Sequence, residues 1–176
     1  MEKLKNIFNI QDALVISARS YFLLLNREII INSASLNKGK GYRLRFNKSN
    51  FLHLTGLKSS LSTNDFFNKC YSGNIEKDDY YLGPHNDRKT IKRKLKVLMN
   101  IGCLFEQKIY VQENFVKNNI ICNIAASDGK CTIGFINTQY YSLPKTLLAN
   151  NHLSSSKPIY EVSPMFKKIT HLKHIG

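Results

Sequence analysis

The spacing of hydrophobic residues changes along the chain, and each change predicts a different element of secondary structure. Over residues 3–25, apolar side chains recur three or four positions apart, which predicts one amphipathic helix. YRLRF (residues 42–46) alternates apolar and basic side chains, and this period of two predicts a half-buried strand. FLHLT (residues 51–55) alternates again, which predicts a second strand with His53 and Thr55 on the face opposite two leucines.

Capping and turn residues mark the remaining elements. Ser62–Asp65 fits a capping box and predicts a helix, and a further helix is expected from Thr90 onwards. Two β-branched runs, residues 119–126 and 131–137, flank an Asp-Gly pair and predict a hairpin. A last strand is expected within residues 158–168. Helices followed by antiparallel strands favour an α+β fold, in which N-terminal helices pack on an antiparallel β-sheet.

Length and composition favour one domain. The chain has 176 residues, of which 43% are hydrophobic, enough for one sizeable core. We therefore expect a single domain over residues 1–176, with residues 1–26 as an N-terminal helix and residues 169–176 as a frayed tail. No run of about 18 uncharged apolar residues occurs, so no membrane span is expected.

The cysteines indicate a reducing compartment. No CxxC pair is present, which argues against a zinc ribbon. Each cysteine lies among apolar or aromatic neighbours, as reduced core cysteines do, and a cytoplasmic location is therefore expected. The four are Cys70, Cys103, Cys122 and Cys131.

The charge balance indicates a polyanionic partner. The chain carries 26 Lys and Arg against 12 Asp and Glu, a formal net charge of +14. No acidic residue occurs from Ile29 to Asn64, and basic residues are concentrated again between Arg88 and Lys96. Such a distribution is typical of proteins that bind nucleic acid, although a plain basic surface is an alternative.

The two predicted strands bring together groups that can cleave RNA without a metal ion. Such cleavage needs a base, an acid and cations that stabilise the charged phosphorane. His53 is the best candidate for proton transfer, with Thr55 as an orienting hydroxyl and Arg43 and Arg45 as phosphate ligands. The alternative is a structural histidine beside ordinary surface arginines.

Other basic and aromatic residues are secondary candidates, and each of them could equally be an ordinary surface or core residue. Lys58 and Lys145 are candidate catalytic cations. Tyr140 and Tyr141 could stack on bases or pack in the core. Further candidate nucleic-acid contacts are Lys48, Lys92, Arg93, Lys96, Thr146 and Lys168.

No pattern predicts a metal or cofactor site. A metal nuclease needs clustered carboxylates, whereas Asp78-Asp79 stands alone in an acidic segment. His171 and His174 have weak metal spacing close to the C-terminus. No GxxxxGK[ST], GxGxxG or GxSxG motif occurs, so neither a cofactor nor a metal is expected.

Several segments resemble a phage-associated nuclease family. Five segments carry the resemblance: YRLRFNKSNFLHLTGLK, NDFFNKCYSGNI, TIKRKLKVL, SLPKTLL and KPIYEVSPMFKK. They are similar to the fourth of the phage-borne families assigned to the barnase–EndoU–colicin–RelE (BECR) superfold. The similarity covers roughly residues 10 to 168, and its most specific part is LRFxxxNFLHLTGL.

The resemblance implies an N-terminal helical part, an antiparallel sheet, and RNA as the substrate of a toxin or mobile-element protein. By position it makes His53 and Thr55 of the HLTG motif leading active-site candidates, followed by Lys58. The correspondence at Lys145 and Thr146 is looser. Acid and base roles do not transfer, because the superfold has no common catalytic set.

Residues and resemblance together favour a metal-independent ribonuclease that uses attack by the ribose 2′-OH, acting as a toxin or phage effector. Two alternatives stay open: a non-catalytic nucleic-acid-binding protein, and an inhibitor that docks on a host factor. The expected partners are RNA and a cognate antitoxin or immunity protein, with no membrane.

Overall fold

The protein has four α-helices and ten β-strands within residues 8–169, which are the residues that the structure, a computed structural model, describes. The helices are α1 (Ile10–Phe22), α2 (Lys48–Thr55), α3 (Thr63–Ser72) and α4 (Arg88–Leu98). The strands are β1 (Arg27–Ile31), β2 (Tyr42–Arg45), β3 (Leu57–Lys58), β4 (Tyr81–Leu82), β5 (Ile109–Lys117), β6 (Ile120–Ser127), β7 (Cys131–Asn137), β8 (Ser142–Ala149), β9 (Tyr160–Val162) and β10 (Met165–Lys168).

Eight strands form one sheet in the order β10-β1-β2-β8-β7-β6-β5-β9, and β3 pairs with β4 in a separate ribbon. Strands β5 to β8 form an antiparallel meander. The single parallel pair, β2 with β8, joins this meander to the N-terminal strands. The α+β prediction of helices on an antiparallel sheet is therefore confirmed, with one parallel pair at its centre.

The first helix is fixed by its cap and by one buried face. The side chain of Asn9 accepts hydrogen bonds from the backbone N–H groups of Gln11 and Asp12. Tyr21 is fully buried in the last turn, and its hydroxyl donates to the carbonyl of Asn47 at 2.8 Å. The sequence predicted a helix over residues 3–25; the structure has it over Ile10–Phe22, and residues 1–7 lie outside the described part.

YRLRF is confirmed as a strand, but FLHLT forms the last five residues of helix α2, so the second strand prediction is wrong. At the start of α2 the Asn47 N–H donates to the Asn50 side chain at 3.3 Å, and Gly56 ends the helix with φ of +78°. Five residues are too few to separate a period of two from one of 3.6. Asn47–Asn50 and Gly56 are helix-boundary signals that outweigh the short alternation.

The later elements agree with the sequence, with shifts at their ends. Ser62 caps α3, and Asp87 rather than Thr90 caps α4. The Asp-Gly hairpin is confirmed as β6–β7. The predicted last strand is divided at Pro164 into β9 and β10, which pair with opposite edges of the sheet.

Aromatic rings join the helices to the sheet. Tyr21 of α1 packs edge-on against Phe46, which follows β2, and against Phe51 of α2, with ring centroids 5.5 and 5.3 Å apart. Phe46 in turn packs against Phe135 of β7. This cluster holds α2 above β8, and the polar end of α2 therefore lies beside the middle of that strand.

No helix within the described residues is long and apolar enough to cross a membrane. The predicted frayed tail falls mostly on residues 170–176, outside the described part. Its first residue, Ile169, donates its N–H to the carbonyl of Asn26.

Candidate active site

A cleft of about 510 Å³ opens where the C-terminal end of α2, the β3–β4 ribbon, α4 and the middle of β8 meet. Its lining brings together four residues that the sequence analysis proposed from separate segments. These are His53, Lys58, Lys145 and Thr146. Further polar side chains line it as well: Thr63, Asn86, Lys94 and Asn119.

His53 reaches the cleft because of its position on α2. Phe51, Leu52, Leu54 and Thr55 are buried, while His53 is exposed. Successive residues of a helix are about 100° apart around its axis, so His53 lies on the solvent-facing side while its neighbours face the core. The imidazole is therefore accessible to a substrate, as the sequence analysis required, but it is carried by a helix rather than a strand.

Lys58 is aligned by the short ribbon that follows α2. It pairs with Tyr81 across the β3–β4 ladder. The aliphatic stem of Lys58 lies close to Gly83. A Cβ on that glycine would be 3.2 Å from Lys58 Cγ. The close backbone of Gly83 thus directs the Lys58 stem along the wall of the cleft.

Lys145 and Thr146 lie at an irregularity of strand β8. Gly134 pairs with Thr146 and Phe135 with Pro144, so Lys145 has no partner across this ladder. Bulges of this kind redirect side chains and are common beside active sites. The Lys145 ammonium donates to the carbonyl of Ile121 at 3.1 Å, and Thr146 is 6% exposed at the cleft wall.

Lys94 is the cleft residue that the sequence analysis missed. It projects from α4, and its stem lies so close to Gly56 that a Cβ there would stand 3.1 Å from Lys94 Cδ. Burial lowers the pKa of the Lys94 ammonium. The available signal was its spacing, since residue 94 falls three after Ile91 and four before Leu98, both fully buried.

The cleft is positively charged. Three ammonium groups and one imidazole line it, and no Asp or Glu of residues 8–169 is among its lining residues. Within residues 8–169, no three His, Cys, Asp or Glu side chains lie close enough to hold a metal ion; His171 and His174 lie outside that range. The side chains present therefore suit a bound phosphodiester, whose negative charge the lysines can balance.

Arg43 and Arg45 do not converge with His53, so this part of the sequence hypothesis is wrong. Both project from the face of β2 opposite Leu44, which is fully buried in the main core. Glu28 of β1, 2% exposed, accepts from Arg43 Nε at 2.6 Å and Arg43 Nη2 at 3.0 Å. It also accepts from Arg45 Nε at 2.7 Å.

Thr55 is also not where the strand prediction placed it. The residue is 0% exposed, and its hydroxyl donates to the Leu52 carbonyl at 2.7 Å. The same hydroxyl accepts from the Leu57 N–H at 3.1 Å. Thr55 therefore ties the end of α2 to β3, and it does not share an exposed face with His53.

The remaining predicted nucleic-acid contacts lie outside the cleft. Lys48 donates to the Asn68 side chain, and Arg93 donates to Thr90 on its own helix. Lys92 lies over the ring of Phe8 and, with Lys96, lines a separate depression beside α1. Lys168 is on β10, opposite Arg27 at the sheet edge. Their contribution to nucleic-acid binding stays a prediction.

A family model described as phage-Barnase-EndoU-ColicinE5/D-RelE like nuclease 4 matches residues 13–175. The chain belongs to this family. The match covers almost all of the described fold, including every residue that lines the cleft. No match was found among curated proteins or among solved structures.

In this phage-associated nuclease, the cleft combines a side chain that can transfer protons with side chains that can balance phosphate charge. An imidazole is the side chain best suited to transfer protons near neutral pH. The partly buried ammonium of Lys94 is a stronger acid than an ordinary lysine because its pKa is lowered. Lys58 and Lys145 also line the cleft and supply further positive charge.

Proposed function

We propose that this nuclease cleaves RNA in the cleft without a metal ion, by attack of a ribose 2′-OH on the adjacent phosphorus. The observation that supports this most directly is one acid-free cleft that contains His53, Lys58, Lys94 and Lys145. RNA carries its own nucleophile, so no metal-activated water is needed. The cleft also presents no carboxylates that would hold a catalytic cation.

The reaction assigns a task to each group. His53 takes the proton from the 2′-OH, whose oxygen then bonds to phosphorus. The bond from phosphorus to the 5′-oxygen breaks, and Lys94 donates a proton to that leaving oxygen. Lys58 and Lys145 stabilise the charge of the phosphorane. The products are a 2′,3′-cyclic phosphate and a 5′-hydroxyl.

The family supports a further proposal, which concerns the biological setting. Because the family is phage-associated, we propose that the protein is a toxin or mobile-element effector that acts on RNA in the cytoplasm. A cognate antitoxin or immunity protein is then the natural partner, since a cell that makes such an enzyme needs protection from it.

The test uses the purified full-length chain and a 5′-labelled RNA in the presence of EDTA. We expect cleavage with cyclic-phosphate ends, and no cleavage where a single 2′-deoxynucleotide replaces the scissile ribose. His53→Ala should reduce kcat by about 10²- to 10⁴-fold. His85→Ala is the matched control, because His85 is exposed and does not line the cleft.

Each alternative has its own outcome in this assay. Loss of activity in EDTA would refute metal independence. Cleavage at the deoxynucleotide would refute 2′-OH attack. Tight, salt-sensitive RNA binding without products would favour the non-catalytic binding protein instead.

A further inference from the structure

We propose a second RNA-binding site, outside the cleft, that stacks one base of a single strand and holds a neighbouring phosphate. It lies in a depression of about 290 Å³ between the β7–β8 turn and the loop before β2. We call it the turn surface and define it by Lys40, Arg43, Gln139, Tyr140 and Tyr141. The inference rests on the proposed RNA substrate.

The stacking platform is Tyr140, at the tip of the β7–β8 turn. Its side chain is 69% exposed, so the fold does not use this ring for packing. The turn itself is rigid, because the Thr138 N–H and hydroxyl both donate to the Tyr141 carbonyl at 2.7 Å. An exposed tyrosine on such a turn offers stacking area to a base, and with only two side-chain torsions it loses little entropy on binding.

The phosphate-binding part is Arg43, which shares one buried carboxylate with Arg45. Glu28 balances one of the two guanidinium charges and fixes both groups through three hydrogen bonds. The Arg43 side chain nevertheless stays 52% exposed, with N–H groups directed away from Glu28. Arg45 stacks over the Tyr141 ring at 4.5 Å and so holds that ring in place.

The loop that carries Lys40 is also fixed. Glu113 accepts from the Asn37 N–H at 2.8 Å and from the Tyr42 hydroxyl at 2.6 Å. These bonds hold both ends of the loop, so exposed Lys40 is kept beside Arg43. No acidic residue of the described part lines the depression itself. Glu28 and Glu113 balance two of the three charges of Lys40, Arg43 and Arg45, which leaves one net positive charge for an anion.

Single-stranded RNA fits this surface better than an acidic protein does. Single-stranded bases stack on aromatic rings and bond to polar side chains, and exposed Gln139 lines the same depression as Tyr140. An acidic protein would use only the cations. The turn surface is also close to the cleft along β8: Ser142 lines the depression and Lys145 the cleft, about 10 Å of strand apart.

The experiment measures binding rather than cleavage. A fluorescein-labelled 2′-O-methyl uridine 12-mer, which cannot undergo 2′-OH attack, is titrated with the full-length chain by fluorescence anisotropy. We expect Tyr140→Ala to raise Kd roughly 5- to 100-fold, as loss of one stacked base does. Tyr140→Phe keeps the ring and should bind within about twofold of wild type. Tyr110→Ala removes another exposed tyrosine and serves as the control.

Two further arms separate RNA stacking from simple charge. Arg43→Gln should weaken binding and reduce its salt dependence, and poly-glutamate should compete poorly. If Tyr140→Ala behaves like Tyr110→Ala, or if poly-glutamate competes as well as the 12-mer does, the proposal is wrong. The probe cannot be cleaved, so the binding results are independent of the cleavage assay. A protein that does not cleave RNA but binds the probe in a Tyr140-dependent way would refute the ribonuclease proposal and leave the turn-surface proposal intact.

Discussion

The stem of Lys94 occupies the space that a side chain at Gly56 would need, with Lys94 Cδ 3.1 Å from the position of a Cβ. Gly56 also has a φ of +78°, which disfavours every residue except glycine. The glycine of the HLTG segment therefore has two tasks. It ends α2 three residues after His53, and it lets a lysine of α4 reach the same cleft.

The first prediction concerns Gly56→Ala. We expect a loss of stability of about 1–2 kcal/mol from the left-handed backbone, a further loss from displaced neighbours, and a clear fall in kcat as Lys94 shifts. Gly73→Ala is the matched control, since Gly73 ends α3 with φ of +83° and its nearest neighbour is 3.9 Å away. Urea unfolding and RNA cleavage measure both effects. Equal stability losses with unchanged kcat in both variants would contradict the proposed packing role.

The second prediction is that Lys94→Met makes the protein more stable and less active. Methionine keeps an unbranched stem against Gly56 and removes a charge whose burial is unfavourable. We expect a gain in the free energy of unfolding on the order of 1 kcal/mol at pH 7 and a large loss of kcat.

The pH dependence of that gain is a stricter test. Because burial lowers the folded-state pKa of Lys94, its unfavourable contribution is full at pH values below that pKa. It disappears as pH rises towards the ordinary lysine value of 10.5. Urea titrations of wild type and Lys94→Met should therefore converge between pH 7 and the alkaline range. A constant difference would show that the gain comes from packing. Lys89 is exposed on the same helix, so Lys89→Gln serves as the control. It should change neither the free energy of unfolding nor kcat.

Much of the fold could be predicted from local sequence, because its signals are local. The alternation in YRLRF, the Asp-Gly hairpin and the Ser62 cap each depend on a few neighbouring residues, and each is confirmed. FLHLT failed because five residues fit both periods. The helical conformation of FLHLT depends on Asn47–Asn50 and Gly56, which lie on either side of this segment.

The composition of the cleft was only partly predictable. His53, Lys58, Lys145 and Thr146 were named from chemistry and resemblance, and the structure places all four along one cleft. Lys94 was missed because its role depends on contact with Gly56, 38 positions away in the chain. The arginines of β2 were misplaced because the supposed strand at 51–55 would have put His53 on their face.

The third prediction separates a structural Thr55 from a catalytic one. Thr55→Val keeps the shape but leaves the Leu57 N–H without its hydroxyl partner, so we expect a loss of about 1–3 kcal/mol in stability. Thr55→Ser should recover most of it. Since the hydroxyl is buried, kcat of the folded valine variant should stay within about threefold of wild type. A hundredfold loss of kcat without a loss of stability would instead support a catalytic hydroxyl.

The fourth prediction concerns the carboxylate that holds the two arginines of β2. Burial of Glu28 favours its neutral form, but hydrogen bonds and charge from Arg43 and Arg45 outweigh this and lower its pKa below the ordinary 4.5. Glu28→Gln keeps the shape but removes the negative charge and replaces one acceptor oxygen with an NH2 group that cannot accept from an arginine, and we expect a stability loss of about 1–3 kcal/mol at pH 7. Glu161→Gln breaks an exposed pair with Lys108 and should change stability by less than about 1 kcal/mol.

The sign of the pH dependence at Glu28 is fixed by the direction of its shift. A carboxyl whose folded-state pKa is lowered stabilises the protein above its ordinary pKa of 4.5, and this contribution is lost as pH falls through the lowered value. The stability difference between wild type and Glu28→Gln should therefore be constant from pH 7 to about pH 5 and shrink on further acidification. Urea unfolding across this range measures it. A difference that grows on acidification would mean that Glu28 is protonated in the folded protein, and that the two arginines are held by other contacts.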